Sequence, residues 1–215
     1  MGGGVWGVLT VGHSKASPTR VPPSAASSLS GATPYAARAG PGGTKILTET
    51  VDPLILTVPE SWMAPAADVR TLPGVLDHFA GQVPALASSL DAQIPVAEKS
   101  AIRLFAYQPA VPHAFVSVVS FAAPSAKPLT KSAVDAVVAI DRARVPNAPV
   151  SEVDLAVGPA LKTDTSVVVQ KQPVAIEQLI FNAGGRSILV EMVSETVTGG
   201  PPPVFALIAQ SLRLS

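Results

Sequence analysis

The chain has 215 residues, of which 47% are hydrophobic and only 14% are charged, and its formal net charge is zero. This length and apolar fraction suffice for one globular domain with a sizeable core, whereas the balanced charge argues against electrostatic recognition of nucleic acid or of an anionic membrane. The absence of cysteine excludes disulfides, thiolate metal sites, a cysteine nucleophile and a lipidated cysteine.

The beginning of the chain has neither a helical nor a strand period. Residues 1–48 hold nine of the sixteen glycines in a mixture of Ser, Pro, Ala and Thr. Such a segment buries too little apolar surface to offset the entropy lost on ordering. We therefore predict a disordered tail over residues 1–48, with a partly misassigned start codon as the alternative, and a folded α+β domain over residues 49–215.

The sequence contains no convincing membrane or export segment. The first residues, MGGGVWGVLTVG, have a short apolar part broken by glycine, and they lack the basic start of a secretory signal. No apolar run reaches the roughly 18–20 residues that span a bilayer. We expect a cytoplasmic protein without an integral membrane segment, and export is the alternative.

Three stretches have the period of amphipathic helices. The first carries apolar side chains on one face over residues 72–90, with Pro73 suited to its first turn. Pro84 removes an internal hydrogen bond from that stretch, so we expect a kink or two shorter helices. The second helix is predicted over Thr130–Ala143, and the third begins at Pro203.

Short apolar or alternating runs that are bounded by Pro and Gly predict strands. They are Leu54–Val58, Ala101–Tyr107, Phe115–Phe121, Ser151–Val157, Leu161–Gln170, Ala175–Asn182 and Ser187–Glu195. The late strands follow one another through short turns, which is typical of antiparallel pairing. The predicted fold class is α+β, with a mostly antiparallel six- to seven-stranded sheet packed with about three helices.

The register of the last two strands can be predicted from their side chains. Pairing Leu179 with Leu189 gathers apolar side chains on one buried face and sets Glu177 directly opposite Glu191 on the other face. A register shifted by one residue relieves that like-charge contact, but it mixes Glu177 with Met192 and spoils the apolar face. We therefore predict the first register, with both carboxylates reaching solvent or sharing a basic neighbour; a metal or acid/base pair is the alternative.

The residues that could form a site also have structural explanations. His13, His78 and His113 are not at ligand spacing, and surface or boundary packing explains the last two. Trp62, at the end of PESW, is expected to cap an edge of the core through its N–H, with a wall of a ligand cleft as the alternative. Gly-Gly-Arg at residues 184–186 fits a hairpin turn with positive φ better than an anion nest.

No catalytic motif occurs in the sequence. There is no glycine-flanked serine elbow and no HExxH, and GPGGTK at residues 40–45 has the wrong spacing for a phosphate loop and no helix after it. We predict no catalytic, cofactor-binding or metal-binding residue, and therefore no enzyme.

Four stretches carry a likeness to a known family: VPESW after the first strand, VDLAVGPALKT, PVAIEQLIFN, and FALIAQSLRL at the end. They resemble an actinobacterial group in the PsbP-like α/β/α sandwich superfamily, which includes photosystem extrinsic proteins, Ran-binding nuclear-transport proteins and LpqN-type mycobacterial lipoproteins. The resemblance covers about residues 50–215. It implies an antiparallel sheet between helices and non-enzymatic binding or scaffolding, with no catalytic residue; the chain has no cysteine for the lipid anchor of the LpqN-type proteins.

The predicted function is non-catalytic: the chain binds a protein partner or serves as a scaffold. The first alternative is a sandwich that binds a small ligand or lipid between its first helix and the sheet. The second is an unrecognised hydrolase. Neither a nucleic-acid partner nor a cofactor is expected.

Overall fold

The computed structural model describes residues 35–49, 54–99, 101–122, 150–183, 185–197 and 200–214, all within one compact unit. The strands are β1 (Tyr35–Ala39), β2 (Thr44–Glu49), β3 (Leu54–Pro59), β4 (Ile102–Gln108), β5 (Ala114–Ala122), β6 (Val150–Leu155), β7 (Gly158–Val169), β8 (Gln172–Ala183), β9 (Arg186–Glu195) and β10 (Arg213–Leu214). The helices are α1 (Leu72–Gln82), α2 (Ala87–Glu98) and α3 (Pro203–Ser211). The helix predicted over 130–143 lies outside the described residues.

These strands form two antiparallel sheets, so the predicted α+β class and its six-stranded sheet are confirmed. The order in the larger sheet is β4-β5-β9-β8-β7-β6, and the order in the smaller sheet is β1-β2-β3-β10. The two sheets are joined where Met63, just after β3, pairs with Tyr107 of β4 through backbone hydrogen bonds of 2.8 and 2.9 Å. One hydrophobic core contains residues of both sheets and all three helices.

The helices cover the two faces of the six-stranded sheet. On one face, which we call the α1–α2 face, the Phe79 ring of α1 lies 4.5 Å from the Tyr107 ring. Gln93 of α2 donates a hydrogen bond of 2.9 Å to Glu191 of β9 on that same face. On the opposite face, which we call the α3 face, Phe205 of α3 lines a cleft together with Leu179 of β8. Neighbouring residues of a strand point to opposite faces, so each face recruits alternate side chains.

The predicted break at Pro84 is confirmed, because the long apolar stripe forms two helices. Helix α1 ends at Gln82 and α2 begins at Ala87, and the backbone N–H of Leu86 donates to Val83 O at 2.9 Å in the connection. Leu76, Phe79 and Leu90 of the stripe are buried as predicted. Helix α2 continues to Glu98 with Pro95 inside it, farther than the stripe indicated.

The prediction of a disordered tail is wrong for residues 35–48, which form β1 and most of β2. The two strands pair from Tyr35↔Glu49 to Ala39↔Lys45. The glycines between the two strands, whose abundance had suggested disorder, form the turn of the hairpin. Gly42 and Gly43 have φ of +62° and +71°, a conformation that glycine adopts without strain. Buried Tyr35 and Leu47 anchor the hairpin to the core.

The predicted register of the last hairpin is also wrong. Leu179 pairs with Val190, so Glu177 lies opposite Met192, and Gln178 lies opposite Glu191. The one-residue shift does not expose apolar side chains to solvent, because β8 and β9 are buried on both faces. The alternation of apolar and polar residues that normally selects a register is therefore absent. The two glutamates consequently lie on opposite faces of the sheet.

Candidate functional site

A cleft of about 320 Å³ opens on the α3 face, between α3 and strands β6, β7 and β8. Its walls are mostly apolar, and the polar side chains among them are Lys162, Glu177 and Gln210. The apolar lining residues are Val153, Leu155, Leu179, Pro201, Pro202, Pro203, Phe205, Ala206 and Ala209. An apolar cleft of this size with a few converging polar groups is the usual form of a small-molecule site.

The polar part of the cleft is built on the β7–β8 pair. Lys162 and Asp164 are two residues apart on β7, so both point to the α3 face, and Glu177 lies directly opposite Asp164 on β8. Lys162 Nζ donates to Glu177 Oε2 at 2.9 Å and lies 3.4 Å from Asp164 Oδ2. The three side chains, here called the β7–β8 triad, therefore place two carboxylates around one ammonium.

Glu177 is the most deeply buried member of the triad, with 2% of its surface exposed. This burial raises the pKa of its carboxyl above the ordinary value of 4.5; the Lys162 ammonium acts in the opposite direction, and the Asp164 carboxylate adds to the rise. Burial alone lowers the pKa of Lys162, but the hydrogen bond and the negative charges of Glu177 and Asp164 outweigh it, so the net change is upward. Lys162 is thus held as an ammonium, whereas the ionised form of Glu177 is disfavoured.

Glu191 belongs to a separate polar network on the α1–α2 face. Its two carboxylate oxygens each accept a hydrogen bond of 2.9 Å, one from Gln93 Nε2 and the other from Gln178 Nε2. Gln178 Oε1 in turn accepts from the Thr163 hydroxyl at 3.3 Å. The prediction that both glutamates reach solvent or share a basic neighbour is therefore wrong: both are buried, Glu177 has a basic neighbour of its own, and amides hold Glu191.

Trp62 caps an edge of the core, as predicted, and does not line the cleft. Its indole N–H donates to the side-chain oxygen of Gln108 at 2.9 Å, and its ring is 1% exposed. Gln108 Nε2 donates in turn to Ala110 O at 3.1 Å and Pro112 O at 2.9 Å, in the loop that joins β4 to β5. The alternative that Trp62 forms a wall of a ligand cleft gains no support from this packing.

The two histidines in the described part of the chain also have structural roles. His78 is exposed on α1, and its Nε2 lies 3.1 Å from Gln82 Nε2. His113 is half-buried at the start of β5, where its Nδ1 lies 2.7 Å from Glu195 Oε2. Its backbone N–H donates to the same oxygen at 3.0 Å, which fastens β5 to the end of β9. His13 lies outside the described residues.

The hairpin explanation of residues 184–186 is supported where the structure describes them. Ala183 pairs with Arg186, and Gly185 has a φ of +78°. The Arg186 guanidinium donates to the Ser120 hydroxyl at 2.6 Å, so it is occupied by the neighbouring strand. Gly184 lies outside the described residues.

A larger hollow of about 500 Å³ adjoins the β6–β7 turn, but its chemistry is that of a solvated surface. Its polar lining residues, Glu152, Asp154 and Asn182, are all exposed. In the described ranges, no group of three or more His, Asp or Glu residues is placed to hold a metal ion. The cleft on the α3 face is therefore the better candidate site.

Sequence patterns did not indicate Lys162 and Asp164 as site residues. Their signal is the two-residue spacing of the charged side chains in LKTDTS, which puts both on one face of a strand. Glu177 joins them only if the pairing of β7 with β8 is known, and that pairing follows from the two-residue turn at Gln170 and Lys171. Both turn residues have positive φ although neither is glycine, so composition gave no turn signal there.

Comparison with known proteins gives a distant structural likeness and no match to a family model or a curated protein. The chain is similar to LpqN, a protein involved in cell envelope biogenesis of Mycobacterium tuberculosis, whose crystal structure superposes with a TM-score of 0.40 and 9% sequence identity over 84% of this chain and 90% of that chain. Because the similarity is so distant, membership of the PsbP-like superfamily stays a prediction.

None of the three described helices combines the length and apolarity needed to cross a membrane.

Proposed function

We propose that this chain is a non-catalytic binding domain and that the cleft on the α3 face binds a small, largely apolar ligand. The observation that carries the proposal is the cleft itself: nine apolar residues surround a space of about 320 Å³, and the partly buried Lys162–Glu177 ion pair lies in its wall. Apolar walls supply affinity, whereas a few fixed polar groups orient the ligand.

The chemistry of the cleft favours binding over catalysis. Lys162 Nζ donates to Glu177 Oε2 at 2.9 Å, so the two ionisable side chains of the lining are engaged with each other in an ion pair. Helix α3, which forms one wall, has the sequence PVFALIAQS and carries no acid, base or thiol. A reaction would need a nucleophile or a general base within reach of the ligand, and the two lining residues of that type, Lys162 and Glu177, are paired with each other.

The position of the site differs from the one that the sequence suggested. A ligand space was expected between the first helix and the sheet, but there Phe79 packs against Tyr107 and Gln93 bonds to Glu191. The cleft lies on the other face, where α3 leaves β6 and the first half of β7 partly uncovered and Val153, Leu155 and Lys162 are half-buried.

A titration of the full-length, ¹⁵N-labelled chain with 1-octanol, followed by chemical shifts, tests the proposal. We expect saturable shifts at the amides of Leu179, Phe205 and Ala206. Ala206 is exposed on α3 and lines the cleft, so Ala206→Phe fills the space and should weaken octanol binding about tenfold by removing apolar contact area. Leu207→Phe, one residue along the same helix and outside the lining, is the matched control and should leave binding unchanged.

A protein partner is the second candidate function, and one surface favours it. Val111, Val168 and Val197 are 77%, 72% and 93% exposed. All three lie at one end of the six-stranded sheet. Val168, near the end of β7, pairs with Pro173 of β8. The carbonyl of Pro173 accepts a hydrogen bond of 2.9 Å from the backbone N–H of Thr196, the residue before Val197. Val111 lies in the loop from β4 to β5. We call this surface the valine end. Exposed apolar side chains at one end of the sheet offer apolar contact area to a protein partner.

A differential capture experiment tests the valine end. The wild-type chain should retain a stoichiometric partner from a lysate of its source, and the triple variant V111S/V168S/V197S should lose it. Val69→Ser, at a position that is 44% exposed away from these loops, is the control and should retain the partner. Equal retention by the triple variant would exclude the valine end as the binding surface.

A further inference from the structure

We propose that the polar group of the cleft's ligand is a neutral oxygen acceptor, such as a ketone or ester carbonyl, and that it accepts a hydrogen bond from Lys162 Nζ. This inference rests on the proposed function, because it names the chemical class of the ligand for that same site. It follows from the number of donors on Lys162, from the position of its side chain in the cleft wall, and from the carboxyl groups that already balance its charge.

Lys162 carries more donors than its contacts with described residues use. An ammonium has three N–H donors and no acceptor. Lys162 Nζ makes a hydrogen bond of normal length, 2.9 Å, to Glu177 Oε2, whereas its distance of 3.4 Å to Asp164 Oδ2 is longer than a normal N–H···O bond. Even when each of these contacts takes one donor, a third N–H is left for a ligand.

Lys162 is also the charged lining side chain that a ligand can reach. Its side chain is 26% exposed, whereas that of its partner Glu177 is 3% exposed. Gln210, the third polar residue of the lining, is exposed on α3, and its amide both donates and accepts, so it suits either kind of polar group. Lys162 therefore decides the preference, because an ammonium can only donate.

The remaining walls add no side-chain donor that would compete with Lys162. Pro201, Pro202 and Pro203 form one wall, and proline has no backbone N–H. The N–H of Phe205, at the start of α3, already donates to Pro202 O at 2.9 Å. An apolar ligand in this cleft would be oriented by the few polar groups that it meets, and the ammonium is the charged donor among them.

The charge of Lys162 is already balanced, which favours a neutral acceptor over an anion. Burial lowers the pKa of Lys162, but the hydrogen bond to Glu177 and the negative charges of Glu177 and Asp164 outweigh it, so Nζ keeps its three protons at neutral pH. A carboxylate on the ligand would lie close to these two carboxyl groups, and like charges repel. A carbonyl oxygen accepts a charge-assisted hydrogen bond without that repulsion.

Four probes with eight-carbon chains test the inference on the full-length protein: 2-octanone, 1-octanol, octylammonium and octanoate, each below its solubility limit or critical micelle concentration. We expect 2-octanone to bind about tenfold more tightly than octylammonium, because only the ketone can accept from an ammonium. Octanoate should bind more weakly than 2-octanone. In ¹⁵N-labelled protein, the Nζ resonance of Lys162 should shift with 2-octanone along the same saturation curve as the Phe205 amide. Lys45 Nζ, which donates to Trp62 O at 2.7 Å and lies outside the lining, is the control resonance and should not shift.

Variants separate the donor from the ion pair. K162M/E177L removes the donor together with its partner and should lower the affinity for 2-octanone about tenfold. Glu177→Gln keeps the Lys162 ammonium and should retain that affinity, as should Lys99→Met on the exposed end of α2. If Glu177→Gln lowers the affinity as much as the double variant does, the assignment of the donor to Lys162 is wrong.

The outcomes also separate this inference from the proposed function. If 1-octanol binds in the cleft but octylammonium or octanoate binds more tightly than 2-octanone, the inference about a neutral acceptor is wrong and the ligand-binding function stands. The same holds if 2-octanone binds in the cleft and the Lys162 Nζ resonance does not shift. If none of the probes binds, the proposed function is wrong and the inference falls with it.

Discussion

Lys162 Nζ lies 2.9 Å from Glu177 Oε2, and the two residues are diagonal neighbours across β7 and β8, with Lys162 opposite Leu179 and Glu177 opposite Asp164. Glu177 is almost completely buried and Lys162 only partly, so the pair joins a core position to the rim of the cleft. The pair therefore links the stability of the sheet to the chemistry of the candidate site.

Removing Lys162 should destabilise the fold. Lys162→Met leaves the Glu177 carboxyl buried without its cation, which should cost about 3 kcal/mol, at the lower end for a buried pair because Lys162 is partly exposed. Urea unfolding at neutral pH measures the change. The double variant K162M/E177L removes both charges and should recover to within about 1 kcal/mol of wild type. A double variant less stable than the single one would contradict this account, and Lys99→Met on the exposed end of α2 is the control.

The raised pKa of Glu177 predicts a pH dependence of known sign. The folded state holds the Glu177 proton more tightly than the unfolded state does, so this group's contribution to stability is full below its ordinary pKa of 4.5 and is lost as pH rises through the folded pKa. The unfolding free energy of wild type relative to Glu177→Gln should therefore fall as pH is raised from 4 through this window. A relative stability that rises over the same range would show that Lys162 outweighs burial.

The Glu191 network should depend on its donor from α2. Gln93→Leu removes one of the two amide donors to the Glu191 carboxylate, which should cost about 1–3 kcal/mol because a buried acceptor loses its partner. Thermal or urea unfolding measures the loss. Gln82→Leu, on the exposed surface of α1, is the matched control and should change stability by less than about 0.5 kcal/mol. Equal effects of the two substitutions would argue against a network that joins α2 to the sheet.

Trp62 should behave as a core residue and not as part of a ligand site. Trp62→Ala should cost about 3–5 kcal/mol through lost burial, whereas Trp62→Phe should cost about 1 kcal/mol, mainly for the hydrogen bond to Gln108. Met63→Ala, at the exposed neighbouring position, is the control. Neither Trp62→Phe nor Met63→Ala should change octanol affinity, and a loss of affinity in Trp62→Phe would show that the ligand site includes Trp62.

Periodicity in the sequence predicted the described helices and most strands because their apolar stripes are long. Periodicity failed for β1 and β2, because only two apolar residues of this hairpin, Tyr35 and Leu47, are buried and the residues around them are mostly polar or glycine. It failed for the register of β8 and β9 because both faces of each strand are buried, so apolar alternation cannot choose between registers. The spacing of a two-residue turn between Ala183 and Arg186 would have chosen correctly.

The candidate site depends on two strand pairings that the sequence patterns did not give. The register of β8 with β9 assigns Glu177 to the α3 face and Glu191 to the α1–α2 face. The pairing of β7 with β8 makes Lys162 and Asp164 the neighbours of Glu177. The cleft itself depends on where α3 lies over β6–β8, a tertiary relation that no local pattern in the sequence encodes.

Intermolecular NOEs between 1-octanol and the methyl and aromatic protons of the protein test the central claim most directly, because they locate a bound ligand without a variant. We expect saturable NOEs from octanol to Leu155, Leu179 and Phe205, all in the walls of the cleft. NOEs confined to Phe79 on the other side of the sheet, or no saturable binding at any concentration up to the solubility limit, would contradict the proposal that the cleft is the ligand site.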